Sequence, residues 1–133
     1  MSSSIRPRVL IAEDYGPMAT ALARLLTPDC EVVSVVAEGR AAIDAGQQLR
    51  PDVMLIDLNL PDISGLEVCR VITGVNHHHP KVILMSGFVD PTIADLARAA
   101  GAAAFLPKAA AGHELLAAIT NALGDASRSS TDD

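Results

Sequence analysis

Apolar runs of strand length alternate with segments of helical period along this chain. "RVLIA" at 8–12 precedes helix-spaced apolar positions over 17–26, and "EVVSVVA" at 31–37 precedes 39–49. "DVMLID" at 52–57 then precedes 64–73, "KVILMS" at 81–86 precedes 91–100, and "AAFLP" at 103–107 precedes 112–123. The strand runs are continuously apolar, the mark of strands buried on both faces, as in a parallel sheet covered by helices. Right-handed crossovers leave few ways to connect such units. The pattern predicts an α/β fold: a doubly wound, three-layer (βα)5 domain on a five-stranded parallel sheet. "MSSSIRPR" and "DASRSSTDD" at the two ends are polar and aperiodic. The expected organisation is therefore a disordered lead at 1–7, one domain at 8–124, and a tail or start of a linker at 125–133.

Composition narrows the function classes. A chain of 133 residues suits one core, and its 50% hydrophobic content comes mostly from Ala, Val, Leu and Ile. Tyr15, Phe88 and Phe105 are the only aromatics, too few for a platform that stacks sugars or unpaired bases. The net charge of -6, with scattered Lys and Arg, argues against direct nucleic acid binding. No apolar run approaches the roughly 18 residues of a membrane span, and "VLIA" is too short for a secretory leader, so the expectation is a cytoplasmic protein that does not engage the membrane. Cys30 and Cys69, far apart, read as reduced core thiols. His77, His78 and His79 have no Cys, Asp or Glu at ligand spacing and precede the fourth strand, so they read as a solvated loop rather than a zinc site.

In a fold of this kind ligands bind beyond the carboxyl ends of the strands. The first strand run ends in Glu13 and Asp14, the third in Asp57, the fourth in Ser86, and the fifth leads into Lys108. Adjacent central strands would bring all five into one shallow cleft. Two carboxylates about 4 Å apart repel by roughly 4 kcal/mol at an effective dielectric near 20, so three acids together call for a cation. Hard oxygen donors with room for water suit Mg²⁺, with Asp14 and Asp57 binding directly and Glu13 through water. With charge drawn off by the metal and Lys108 nearby, the Asp57 carboxylate can attack an activated phosphoryl group and form an aspartyl phosphate. Ser86 and Lys108 would contact the phosphoryl oxygens.

These residues resemble the receiver domains of bacterial two-component response regulators over roughly 8–124. The resemblance rests on Glu13 and Asp14, "DLNLPDISGLE" around Asp57, Ser86 followed by Gly87, then Phe105 and Lys108, all in family order. It implies a flavodoxin-like sheet of strand order 2-1-3-4-5, Asp57 as phosphoacceptor, and Mg²⁺ held with help from Glu13, Asp14 and the backbone carbonyl of Asn59. It further implies Ser86 and Phe105 as a switch pair, and an output face made by helix 4, strand 5 and helix 5. The implied partners are a histidine kinase or phosphotransfer protein, with an output domain or a homodimer as further possibilities. Catalysis would be confined to the domain's own phosphorylation and dephosphorylation. Two positions depart from the commonest pattern: Glu13 stands where many receivers have Asp, and Ala109 follows Lys108 where many have a cis-bonded Pro. A non-Pro cis bond costs about 2.5 to 4 kcal/mol, so a trans Lys108–Ala109 peptide is expected.

Three rival readings are weaker. A haloacid dehalogenase-type phosphatase needs a second Asp two residues after its nucleophile, and here that place holds Asn59, which cannot act as general acid. A nucleotide or flavin module would carry a glycine-rich loop after strand 1, where this chain has "EDYGPM". A degenerate receiver serving only as a scaffold would have lost part of the acid, hydroxyl and Lys set, all of which is present.

Overall fold

A computed structural model describes residues 6–74, 79–88 and 90–131, the side chains of 125–131 excepted. Strands β1 (Arg8–Ala12), β2 (Glu31–Val36), β3 (Val53–Asp57), β4 (Lys81–Ser86) and β5 (Ala104–Pro107) alternate with helices α1 (Gly16–Leu26), α2 (Gly39–Leu49), α3 (Gly65–Gly74), α4 (Pro91–Ala99) and α5 (Ala111–Thr131). One 3-10 turn, Lys108–Ala110, joins β5 to α5. The strands form a single sheet in the order β2-β1-β3-β4-β5, and every pairing is parallel. The doubly wound flavodoxin-like arrangement is the one expected.

Strand alternation divides the core into two layers. Val9, Ile11, Val53, Leu55, Ile83 and Met85 face α1 and α5, meeting Leu22, Leu26, Leu115 and Ile119. Their neighbours Leu10, Met54, Ile56, Val82 and Leu84 face the other way, onto Ala42 of α2, Val68 and Ile72 of α3, and Ala97 of α4. The central strands β1, β3 and β4 are therefore closed on both faces, as their unbroken apolar runs require. β2 is not. It lies at the sheet edge with a half-buried pattern and Val35 47% exposed, because an edge strand has a neighbour on one side only.

Order extends beyond 8–124 at both ends. Arg6 and Pro7, assigned to the disordered lead, are tied down: Arg6 Nη1 donates to the Thr27 carbonyl at 2.9 Å, and Glu31 N–H donates to the Pro7 carbonyl at 2.8 Å. At the other end α5 runs on to Thr131, into the stretch read as tail. After Gly124 no proline interrupts the sequence, so the backbone ladder continues although the apolar spacing has ended. Among the described residues no peptide bond is cis, Lys108–Ala109 included.

Cys30 and Cys69 are free, buried and on opposite faces of the sheet, which excludes a bond between them. Burial pushes the Cys69 thiol up to about 11 and raises that of Cys30 as well. Cys30 sits in the bend before β2. His77 and His78 lie outside the described residues. His79 precedes β4, its Nδ1 2.8 Å from the Pro80 carbonyl oxygen, at the end of the sheet away from the acids.

Candidate functional site

Parallel register brings the strand ends level. Ala12 pairs with Ile56, so Glu13 arrives beside Asp57; Asp57 pairs with Met85, so Ser86 comes next; and Ser86 pairs with Pro107, which delivers Lys108. Glu13, Asp14 and Asp57 each offer a carboxylate oxygen within 4.8 Å of the others, the one such grouping of His, Cys, Asp and Glu among the described residues. Glu13 and Asp57 are buried, whereas Asp14 is exposed at the rim.

Lys108 supplies the local positive charge. Its Nζ lies 2.9 Å from Glu13 Oε1 and 3.1 Å from Asp57 Oδ2, with only 26% of the side chain exposed. It is a half-buried counter-ion. Burial alone would lower the lysine's pKa, but the bonds to Glu13 and Asp57 outweigh it and raise the value. Glu13 is shifted upward too, chiefly by desolvation and further by the Asp57 charge, against the pull of Lys108 and of the Tyr15 N–H that donates to Oε2 at 3.1 Å. Glu13 Oε1 is buried, and its close partner among the described residues is the Lys108 ammonium at 2.9 Å. Three clustered carboxylates with one ammonium among them leave an excess of negative charge that a divalent cation would offset.

The flanking loops complete the site. Asp57 Oδ1 accepts from the Asn59 N–H at 3.3 Å, and Asp14 shares with Asn59 and the residues after it a hollow of about 420 Å³. Gly65 lies so close that a Cβ there would come within 2.4 Å of the Asp57 carbonyl oxygen, which explains a glycine at the start of α3. Ser86 is fully buried and its Oγ accepts from the Phe88 N–H at 3.1 Å, leaving the O–H proton directed to no acceptor among the described residues. Phe105 is half-buried, packed on the α2, α3 and α4 side of the core, two positions before the residue that pairs with Ser86.

The site residues expected from the sequence, Glu13, Asp14, Asp57, Asn59, Ser86, Phe105 and Lys108, thus lie at the carboxyl end of the sheet or on β5 leading to it. One neighbour was missed. Asp62, quoted within the motif but given no role, binds the N-terminus of α2: Oδ1 accepts from Gly39 N–H at 2.7 Å and Oδ2 from Arg40 N–H at 2.9 Å. These bonds, that to Arg40 first, hold its carboxyl down at about 2. The available signal was negative: α2 begins after Glu38, which makes no side-chain cap of its own.

Comparison with known proteins agrees with this geometry. A family model described as the response regulator receiver domain matches residues 9–120. A protein-glutamate methylesterase/protein-glutamine glutaminase from Nocardioides sp. is 34% identical over 77% of this chain and 29% of its own length. The DNA-binding response regulator MtrA of Mycobacterium bovis is 36% identical over 52% of this chain and 30% of its own. The chain therefore spans about three tenths of these relatives. Among solved structures, the response regulator domain of Thermotoga maritima CheB superposes with a TM-score of 0.81 at 26% identity, covering 90% of this chain and 97% of that one.

Proposed function

The chain belongs to the receiver domains of two-component response regulators, which have a phosphoacceptor signalling role, and from that premise we propose that Asp57 is the phosphoacceptor, working with Mg²⁺. The observation that carries the assignment is Asp57 itself: a buried carboxylate at a strand end, 3.1 Å from Lys108 and in one oxygen cluster with Glu13 and Asp14.

Asp57 attacks the phosphorus of a phosphohistidine on a kinase or phosphotransfer protein. The new O–P bond forms as the P–N bond breaks, and the leaving imidazole keeps the electron pair. Lys108, already held beside Asp57, receives the added charge, and the uncommitted Ser86 hydroxyl donates to a phosphoryl oxygen. The residues present fit a divalent cation: three clustered carboxylates have one lysine among them. Asp14, Asp57 and the Asn59 carbonyl would hold it, with Glu13 acting through water. When bound, Mg²⁺ neutralises charge on the phosphoryl oxygens and the acids.

Contact with the phosphoryl group then draws Ser86 inward. Phe105, whose neighbour Leu106 is already core, turns with it, and the face of α4, β5 and α5 changes for a partner, an output domain or a second copy. The domain catalyses only its own phosphorylation and hydrolysis, since Asn59 offers no general acid. Residues 8–124 are taken as the receiver unit, with 125–133 a tail or linker onset despite the helical start of that stretch. No described helix is long and apolar enough to cross a membrane, in keeping with a cytoplasmic site of action. The test is incubation with acetyl phosphate: intact mass should rise by one phosphoryl group with Mg²⁺ and remain unchanged when a chelator is added. Labelling that ignores the chelator contradicts the proposal.

A further inference from the structure

Helix α2 is capped from outside its own segment. Its N-cap residue Glu38 makes no side-chain bond, yet its first two N–H groups, Gly39 and Arg40, are both taken by the Asp62 carboxylate across the β3–α3 loop at 2.7 and 2.9 Å. The contact continues beside the cap, where Ile63 Cγ1 stands 2.5 Å from where a Cβ of Gly39 would be. The same loop is pinned at its far end by the Gly65 N–H, which donates to the Leu58 carbonyl at 2.9 Å. Between the two anchors lies Asn59, on the wall of the hollow it shares with Asp14.

We propose that Asp62 is a positioning residue for the metal site: by fastening the β3–α3 loop to the N-terminus of α2, it fixes the Asn59 carbonyl at the distance from Asp14 and Asp57 that a divalent cation requires. The inference rests on the assignment of that carbonyl to Mg²⁺. The exposed Arg40 side chain, 3.9 Å away, adds little, because the two backbone bonds make the link. Both bonds are charge-assisted and point along the helix axis, where a carboxylate is favoured. A short carboxylate is needed here, since the loop must lie close enough for Ile63 to fill the space over Gly39.

The test is Mg²⁺ titration of the full chain, followed by fluorescence of Tyr15, the only Tyr in a chain without Trp and the donor to Glu13 Oε2. Asp62→Ala is compared with Ile119→Val, a destabilising change in the core layer under α5, and with Asp14→Ala. Asp62→Ala should weaken Mg²⁺ binding by roughly 10-fold or more, the usual effect of losing a group that orients a ligand, while Ile119→Val binds as wild type. If Asp62→Ala also binds as wild type, or if both variants weaken alike, Asp62 only supports the fold and the inference is overturned. If Asp14→Ala binds Mg²⁺ normally, the site assignment itself fails and the inference with it.

Discussion

Replacing Lys108 with Met keeps the length of the stem and removes the charge. In the structure that charge lies 2.9 Å from Glu13 and 3.1 Å from Asp57. At an effective dielectric near 20, each attraction is worth roughly 5 to 6 kcal/mol before desolvation, and the two acids repel by roughly 3 to 4 kcal/mol at the spacing found. Much of this does not survive as stability: the ammonium must be stripped of water, and Glu13, already shifted upward by burial, takes up a proton once unpaired. Removing one partner of a buried pair costs about 3 to 5 kcal/mol, and the low end applies because Lys108 keeps some solvent contact. Lys108→Met should therefore unfold in urea with about 3 kcal/mol less stability in chelator-treated buffer, or melt roughly 10 °C lower. Saturating Mg²⁺ should recover most of the loss, and the variant should bind Mg²⁺ more tightly than wild type because no ammonium competes for the acids. Equal stability of the two proteins without metal, or equal Mg²⁺ affinity, would refute the counter-ion role.

Three further expectations follow from the same cluster. Asp14→Ala should lose most of the thermal shift produced by Mg²⁺ yet melt no lower without metal, since deleting one crowded acid relieves repulsion; a lower metal-free melting point with the full Mg²⁺ shift would misplace the cluster. Glu13 has a folded pKa above its ordinary 4.5, so the unfolded chain releases its proton first. Relative to Glu13→Gln, wild type in metal-free buffer should then be most stable below about pH 4.5 and lose ground as the pH rises through the folded value, and a difference that grows with pH would reverse the sign. With beryllofluoride as phosphoryl mimic, amide shifts over 86–108 should change fully in wild type, partly in Ser86→Ala and least in Lys108→Ala, because inverting a 1:99 population takes about 5.5 kcal/mol, more than one hydrogen bond supplies. A full response in Lys108→Ala would remove Lys108 from the switch.

The layered fold was legible because β1, β3 and β4 are closed on both faces, and burial of that kind writes unbroken apolar runs. β2 carries a similar run, but whether such a strand is central or at an edge depends on pairing, which composition does not express. The end of α5 was misjudged for a related reason: apolar spacing marks where a helix is packed, and helical backbone extends beyond the packed part. The site acids, Ser86 and Lys108 could be found because strand ends in a parallel sheet meet by register. The Lys108–Glu13 ion pair and the Asp62 cap could not, since each joins segments distant in sequence through one side-chain orientation.

The central claim is that Asp57 takes the phosphoryl group, and intact-mass measurement after acetyl phosphate treatment of wild type and Asp57→Asn tests it most directly. Asn is nearly isosteric and keeps the strand end in place, but its amide is not a nucleophile. Wild type should gain a single phosphoryl group in the presence of Mg²⁺ and Asp57→Asn essentially none, with both proteins folded by circular dichroism. Equal gain in the two proteins would contradict the account.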